Sequence, residues 1–234
     1  MTSSIPQPLD LRAARPSDSR LAPAWAAQLE EVAAAQAADW GVAFAFALDR
    51  IAERPDPRPL ALVAVKAWLN ERGRPYARGL AALGASADKL LLIAVDREAQ
   101  ALWALEETLK SGAVAGAIGT LEQTPFVAGR RLDFAAREGR AMGVLLRARA
   151  AEDLSAARVR WRISASPSGA DPFDDKAPGP MRMTAQVVRR RDGPPAMFEW
   201  EESDAQDTAA PRLRLAPRLA GDGLVEAGRT PFAA

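Results

Sequence analysis

The stretch between Leu109 and Pro125 has the framework of a metal-dependent phosphate site, but it lacks the acidic residue that such a site needs. The sequence LKSGAVAGAIGTLEQTP predicts a helix that ends at Ser111-Gly112 and a buried strand over 113–118. In a nucleotide-hydrolysing α/β domain, a carboxylate that holds magnesium follows such a strand. That position here holds Gly119 or Thr120, and neither side chain carries a charge.

The composition excludes several other kinds of catalysis. The 234-residue chain contains no histidine and no cysteine. Disulfides, thiolate zinc sites and the usual Ser-His or Cys-His nucleophiles are therefore unavailable. The 31 basic and 30 acidic residues nearly cancel, so the chain as a whole has no strong field for nucleic acid. Any attraction of that kind must come from local clusters of charge.

The length favours one principal domain with a tail. Residues 1–23 are rich in Pro, Ser and Arg and are predicted to be disordered, 24–203 are predicted to form the domain, and 204–234 are predicted to be a flexible tail. The N-terminus has no apolar core of signal-peptide length, and no window approaches the roughly 20 apolar residues of a membrane span. A cytoplasmic protein without membrane contact is expected.

Buried strands alternate with helices in the predicted domain. Two helices are predicted first, over 24–37 and 40–53, and the sequence RPDPRP ends the second. Continuous apolar runs then predict strands that are covered on both faces. These strands lie at 60–65, 89–95, 113–118 and 143–148, and the helices between them at 74–85, 96–112, with Asp96 as N-cap, and 128–143. Such alternation predicts an α/β fold with a doubly wound, mostly parallel sheet flanked by helices.

The pattern changes after residue 155. The sequence ARVRWRISA alternates strictly between arginines and apolar residues, which predicts a strand exposed on one face. The segment 181–202 then predicts two further strands that are joined by the turn Asp192-Gly193-Pro194. The domain is therefore expected to end in antiparallel strands.

Several strings along this order of elements resemble the ATPase core of RecA, and more closely the RecA-like ImuA family. They are GRPYARGLAALGASADKLLLIAVDREAQALWALEETLKSGAVAGAIGTL, RRLDFAAREGRAMGVLLRA, RVRWRISASPS and MTAQVVRRRDGPPAMFEWEE. Together they span roughly Leu60 to Glu202. The resemblance implies a RecA-like domain.

The sequence departs from the RecA pattern at the three places that handle a nucleotide. A phosphate-binding loop needs several glycines, a lysine and a hydroxyl. The corresponding stretch AAAQAADWGVAFAFA has one glycine, no lysine and no Ser or Thr. The activating carboxylate falls near Lys66, and the magnesium ligand falls at Gly119 or Thr120. No catalysis, cofactor or metal is therefore expected.

The resemblance implies a role outside catalysis. ImuA-like proteins belong to damage-inducible cassettes with the polymerase-like protein ImuB and an error-prone polymerase. RecA and an ImuB-like protein are therefore the expected partners in SOS-induced translesion synthesis, with at most weak or indirect contact with DNA. Two alternatives stay open, which are a SulA-type inhibitor of cell division and a divergent nucleotide-binding ATPase.

Seven residues are candidates for contacts with a partner or with DNA. The candidates are Arg158, Arg160, Arg162, Arg189, Arg190, Arg191 and Trp25. The first three could track phosphates, since nine arginines stand against four acids between residues 130 and 162. The arginines at 189–191 end a strand where, by the resemblance to RecA, basic residues face the nucleotide of a neighbouring subunit. Both sets also suit a solvated strand and turn. Trp25 could lie on a partner-binding helix or pack on its own domain. Trp103, Trp161 and Trp200 are predicted to lie in the core.

Overall fold

Nine strands and five α-helices follow one another in the described part of the chain. The computed structural model describes residues 25–83, 85–148, 154–169, 171, 174, 176–191, 193, 195–202 and 213–215. The elements are β1 (Leu29–Ala34), α1 (Trp40–Ala52), β2 (Leu60–Val65), α2 (Lys66–Arg72), α3 (Ala77–Ala82), β3 (Leu90–Val95), α4 (Glu98–Lys110), β4 (Gly116–Thr120), α5 (Phe126–Glu138), β5 (Met142–Arg147), β6 (Val159–Ser166), β7 (Arg182–Arg190), β8 (Ala196–Glu202) and β9 (Leu213–Leu215). Short 3-10 turns over Ala37–Asp39 and Ala87–Lys89 precede α1 and β3.

The strands form one mixed sheet in the order β3-β2-β4-β5-β1-β6-β7-β8-β9. The first six strands in this order run parallel, and the last three pair antiparallel. The predicted mostly parallel α/β sheet with C-terminal antiparallel strands is therefore confirmed. Strand β9 belongs to the predicted tail, whereas the rest of 204–234, the segment 1–23 and turn residues 192 and 194 lie outside the described residues.

Helices cover both faces of the sheet. On one face, Phe46 and Ile51 of α1 pack with Leu62 and Ile118 of the parallel strands. On the other face, the apolar sides of α4 and α5 pack on inward-facing residues of β2, β4 and β5. Because both faces are covered, strands β2, β4 and β5 have apolar residues without alternation, as the sequence pattern predicted.

The predicted helix over 24–37 is wrong, because its central part is strand β1. All six residues of β1 are buried, and the strand lies between β5 and β6 in the middle of the sheet. The sequence LEEVAAAQAA is rich in strong helix formers, so local propensity favours a helix. Two parallel neighbours supply its backbone hydrogen bonds, and this tertiary pairing outweighs the local preference.

Two smaller predictions are also corrected. Strand β3, which was predicted to be buried on both faces, lies at the edge of the sheet and is only partly buried. The N-cap of α4 is Arg97 and not Asp96. The predicted end of that helix is confirmed, since Gly112 has a positive φ of 67°.

The alternation predicted for β6 is confirmed. Val159, Trp161 and Ile163 are buried, while Arg162 is exposed. The Trp161 ring packs against Phe46 with ring centroids 4.9 Å apart. The antiparallel part of the sheet therefore shares one core with α1 and the parallel strands.

Candidate functional site

The connection from β1 to α1 lies where a nucleotide phosphate would bind in a strand-loop-helix site. Its main feature is the carboxylate of Asp39, which is only 8% exposed. One oxygen accepts a hydrogen bond from the Gln36 backbone N–H at 3.0 Å, and the other accepts from the Ala165 N–H at 3.0 Å. Backbone donors that could face a phosphate are thus already taken by a negative side chain.

Aromatic side chains pack beside this connection. Trp40, the first residue of α1, meets Trp68 of α2 edge to face, with ring centroids 5.0 Å apart. The Arg72 guanidinium lies 5.2 Å from the centre of the Trp40 ring. Arg72 at the end of α2 therefore makes a cation–π contact with Trp40.

The other two positions of the expected nucleotide site are also unsuitable for it. Lys66 forms an ion pair with Asp96, with Nζ 2.8 Å from Oδ1. A Cβ atom on Gly119 would lie 2.5 Å from the end of the Leu105 side chain, so a carboxylate there would require Leu105 to move. The Thr120 hydroxyl is buried, and in the described part of the chain it has no hydrogen-bond partner. Together with Asp39, these residues do not fit a magnesium-bound nucleotide, and the described residues contain no cluster of three acidic side chains suited to a metal ion.

Strand β1 carries two buried glutamates, and each is paired on its own face of the sheet. Glu30 accepts hydrogen bonds from Arg50 and from Trp161 Nε1, the latter at 2.8 Å. Burial by itself lowers the pKa of Arg50, but the adjacent Glu30 carboxylate raises it above its ordinary value. Glu31 accepts from Arg160 Nη2 at 2.8 Å and from the Ser155 hydroxyl at 2.8 Å. Arg160 is therefore committed to an internal ion pair.

A basic cavity of about 630 Å³ lies between α5 and the strands β6 and β7. We call it the arginine pocket. Its lining includes six arginines, which are Arg130, Arg137, Arg158, Arg189, Arg190 and Arg191. Strand register explains how they meet, because the first residue of β6, Val159, pairs with Arg190 at the end of β7. Residues that are distant in sequence thus converge at one end of the antiparallel pair.

Asp133 is the one acidic residue among the described residues that line the arginine pocket. It forms an ion pair with Arg137 at 2.7 Å and another with Arg158 at 3.3 Å. Its Oδ1 also accepts a hydrogen bond from the Leu29 backbone N–H at 3.1 Å. Asp133 therefore joins the pocket to the first residue of β1 and neutralises part of its charge.

Three arginines of the pocket have no such partner within the described ranges. Among the residues that the structure describes, no carboxylate pairs with the side chains of Arg130, Arg189 or Arg191. A guanidinium group carries five donors and stays protonated at any physiological pH. The described residues of the arginine pocket therefore carry more positive than negative charge.

Two phenylalanines of α5 complete the lining. Phe126 is 46% exposed and Phe134 is 57% exposed, so both rings are accessible from the pocket. The Arg137 guanidinium lies 4.7 Å from the centre of the Phe134 ring. The pocket therefore combines cations with accessible aromatic faces.

Four of the seven predicted contact residues meet in this pocket, namely Arg158, Arg189, Arg190 and Arg191. Arg160 is paired with Glu31, and Arg162 is exposed on β6 outside the pocket lining. Arg130 and Arg137 of α5 were not among the predicted contact residues. The sequence feature that could have predicted them is their helical spacing, which puts them on one side of α5 with Phe126 and Phe134.

The helix predicted around Trp25 is wrong, since the described residues before β1, which are 25–28, are not helical. The Trp25 ring packs partly buried against the main core, with the Arg54 guanidinium 4.9 Å from its centre. Trp161 is buried as predicted, whereas Trp103 is 64% exposed and lines a shallow groove between α4 and α5. The side chain of Trp200 lies outside the described residues.

The chain is similar to proteins of known name. It is 34% identical over 174 residues to Protein ImuA of Caulobacter vibrioides strain NA1000 / CB15N, covering 69% of this chain and 70% of that protein. The same values hold for Protein ImuA of C. vibrioides strain ATCC 19089 / CIP 103742 / CB 15. The crystal structure of SulA from Pseudomonas aeruginosa aligns with 51% of this chain and 96% of its own, with a TM-score of 0.39 and 22% identity. No family model matches the sequence. Within the described ranges, every helix is too short or too polar to cross a bilayer.

Proposed function

This chain belongs to the ImuA family, and from that premise we propose that it is a non-catalytic, cytoplasmic accessory protein of SOS-induced mutagenic translesion DNA synthesis. The observation that carries the proposal is the 34% identity to Protein ImuA over 69% of the chain. The resemblance supports RecA, an ImuB-like polymerase homologue and an error-prone polymerase as the proteins with which this chain acts.

The absence of catalysis is the second part of the proposal. We infer that the chain has a RecA-like, doubly wound domain whose nucleotide site is degenerate, which makes it a pseudo-ATPase. The Asp39 carboxylate on the Gln36 and Ala165 N–H groups supports this inference, because it would repel a phosphate from those donors. Lys66, Gly119 and Thr120 supply no substitute for the magnesium ligand.

Binding to RecA and to an ImuB-like protein is therefore the expected biochemical activity. The test uses the purified full-length chain, immobilised, with RecA and the ImuB-like protein from the same organism offered one at a time. Retention of either protein without ATP supports an accessory role. If neither protein is retained, both proposed partners are excluded.

A genetic experiment tests the cellular role. Deletion of the gene should lower the frequency of mutations after DNA damage, and the wild-type gene should restore it. A Thr120→Ala variant should restore it equally, because no nucleotide chemistry is expected at that residue. An unchanged mutation frequency in the deletion strain would contradict the proposal.

A further inference from the structure

We propose that the arginine pocket binds single-stranded nucleic acid, with phosphates on Arg189 and Arg191 and a base on an exposed phenylalanine of α5. The pocket lies at the end of the sheet where the strands β1 and β6 begin. The contact of Asp133 with Leu29 and the pairing of Val159 with Glu30 show this. The degenerate nucleotide site lies at the opposite end of these strands, where β1 is followed by α1. The two sites are therefore separate.

The charge of the pocket points to a ligand with several negative groups. Among the residues that the structure describes, six arginines and one aspartate line it, although the whole chain has a formal charge of only +1. Asp133 holds two of these arginines in place, while Arg130, Arg189 and Arg191 remain without a carboxylate in the described part of the chain. Guanidinium groups suit phosphates because their parallel N–H donors match two phosphate oxygens.

The exposed rings distinguish a single strand from other polyanions. Phe126 and Phe134 lie eight residues apart on α5, and a rise of 1.5 Å per residue separates them by about 12 Å. Proteins that bind single strands combine a basic groove with aromatic side chains on which bases stack. A duplex keeps its bases stacked inside, and an acidic polypeptide has no base, so neither would use these rings. The choice of DNA over RNA rests on the proposed role in DNA synthesis, whereas the pocket itself does not depend on that role.

The test measures fluorescence anisotropy of a labelled oligothymidylate of about 20 nucleotides, which exceeds the usual site size of 4 to 16 nucleotides. The full-length chain is titrated at several salt concentrations. The charge variant is Arg189→Ala/Arg191→Ala. The matched control is Arg74→Ala/Arg78→Ala, which removes the same charge from exposed positions outside the pocket.

We expect the charge variant to bind the oligonucleotide about tenfold more weakly at low salt. The slope of log K against log salt should become shallower by about 1.4, because two phosphate contacts are lost and each contributes about 0.7 on a single strand. The control should change affinity less than about twofold, because it removes no direct contact. Equal losses in both variants, or no binding by the wild-type chain, would overturn the proposal. Circular dichroism establishes that both variants are folded.

Phe134→Ala tests the stacking interaction separately. We expect about a tenfold loss of affinity with an unchanged salt slope, and recovery in Phe134→Trp. Competition then separates the possible ligands. Stronger competition by oligothymidylate or oligouridylate than by duplex DNA or polyglutamate supports the proposal, and the two oligonucleotides tell DNA from RNA. Equal or better competition by duplex or polyglutamate would refute it. The assay contains neither RecA nor an ImuB-like protein, so its failure is distinct from failure of the proposed function.

Discussion

The guanidinium of Arg50 meets the carboxylate of Glu30 through two hydrogen bonds, Nε to Oε2 at 3.1 Å and Nη2 to Oε1 at 2.7 Å. Both side chains are almost completely buried. The pair joins α1 to the central strand β1, and Trp161 of β6 donates to the same carboxylate. Three elements of the core therefore depend on one buried ion pair.

Removing one partner of this pair should destabilise the fold strongly. Glu30→Ala leaves the Trp161 N–H without its acceptor, and it leaves the buried Arg50 guanidinium with the partly exposed Glu53 as the carboxylate that still pairs with it. Breaking a buried ion pair in this way costs up to roughly 3–5 kcal/mol. Urea unfolding followed by tryptophan fluorescence measures this free energy. Asp96→Ala is the control, because it breaks the exposed pair with Lys66, and we expect it to cost less than about 1 kcal/mol.

Replacing both partners should be milder than replacing one. The double variant Glu30→Met/Arg50→Met removes both charges together, and well-packed apolar residues in place of a buried pair are often neutral. Its free energy of unfolding should lie between those of the wild-type chain and Glu30→Ala. If Glu30→Ala proved as stable as Asp96→Ala, the pair would have no structural role.

Glu30 and Glu31 also explain why the sequence predicted a helix where β1 lies. The partner of Glu30 is 20 residues away and the partner of Glu31 is 129 residues away, so a local window contains only two charged residues in an alanine-rich segment. Such a window favours an exposed helix. The strand at 60–65, in contrast, was predicted at its observed bounds, because a continuous apolar run between turn residues carries its own signal.

The candidate site was predictable only in part, for a similar reason. The alternation in β6 correctly placed Arg158, Arg160 and Arg162 apart from the core residues. It could not reveal that Asp133 would pair with Arg158, or that Glu31 would pair with Arg160. These acids come from α5 and β1, and only the assembled sheet brings them to the arginines.

A close contact between two helix ends should make Gly139 sensitive to substitution. Gly139 follows α5, and a Cβ atom there would overlap the carbonyl oxygen of Leu109 at the end of α4. Gly139→Ala should therefore force the two backbones apart and cost about 3 kcal/mol. Chemical denaturation of the purified variant measures the loss.

Gly41→Ala provides the matched control for that substitution. Gly41 lies inside α1, and nothing lies within 4 Å of a Cβ atom at this position. Alanine is the better helix former, so we expect a gain of roughly 0.5–1 kcal/mol. A similar loss in both variants would mean that the Leu109 contact is not what constrains Gly139.

Stability at low pH should depend on Asp56. Its carboxylate accepts hydrogen bonds from Arg58 Nε and Nη2, and these bonds lower the pKa of Asp56 below its ordinary value. Arg58 also donates to the carbonyl oxygens of Gly112 and Gly139, so the pair braces the ends of α4 and α5.

A group with a lowered pKa contributes stability above its unfolded value, about 3.9 for aspartate, and loses it as the pH falls through the folded value. Asp56→Asn should therefore be less stable than the wild-type chain at pH 6 by about 0.5–1 kcal/mol, after allowance for solvent screening. The difference should shrink as the pH falls below about 3.9. Urea unfolding at a series of pH values tests this, and a constant difference down to pH values well below that point would show that the pKa of Asp56 is not lowered.

The strongest test of the degenerate nucleotide site concerns Asp39. The wild-type chain should give no heat on titration with magnesium and ATP, because the Asp39 carboxylate already occupies the N–H groups of Gln36 and Ala165. Asp39→Ala should lose about 1–2 kcal/mol of stability through these two hydrogen bonds. It should also leave the N–H groups of Gln36 and Ala165 open to an anion. Rising inorganic phosphate should therefore increase the Tm of Asp39→Ala but not that of the wild-type chain. Micromolar ATP binding by the wild-type chain would instead show that another set of residues forms a working nucleotide site.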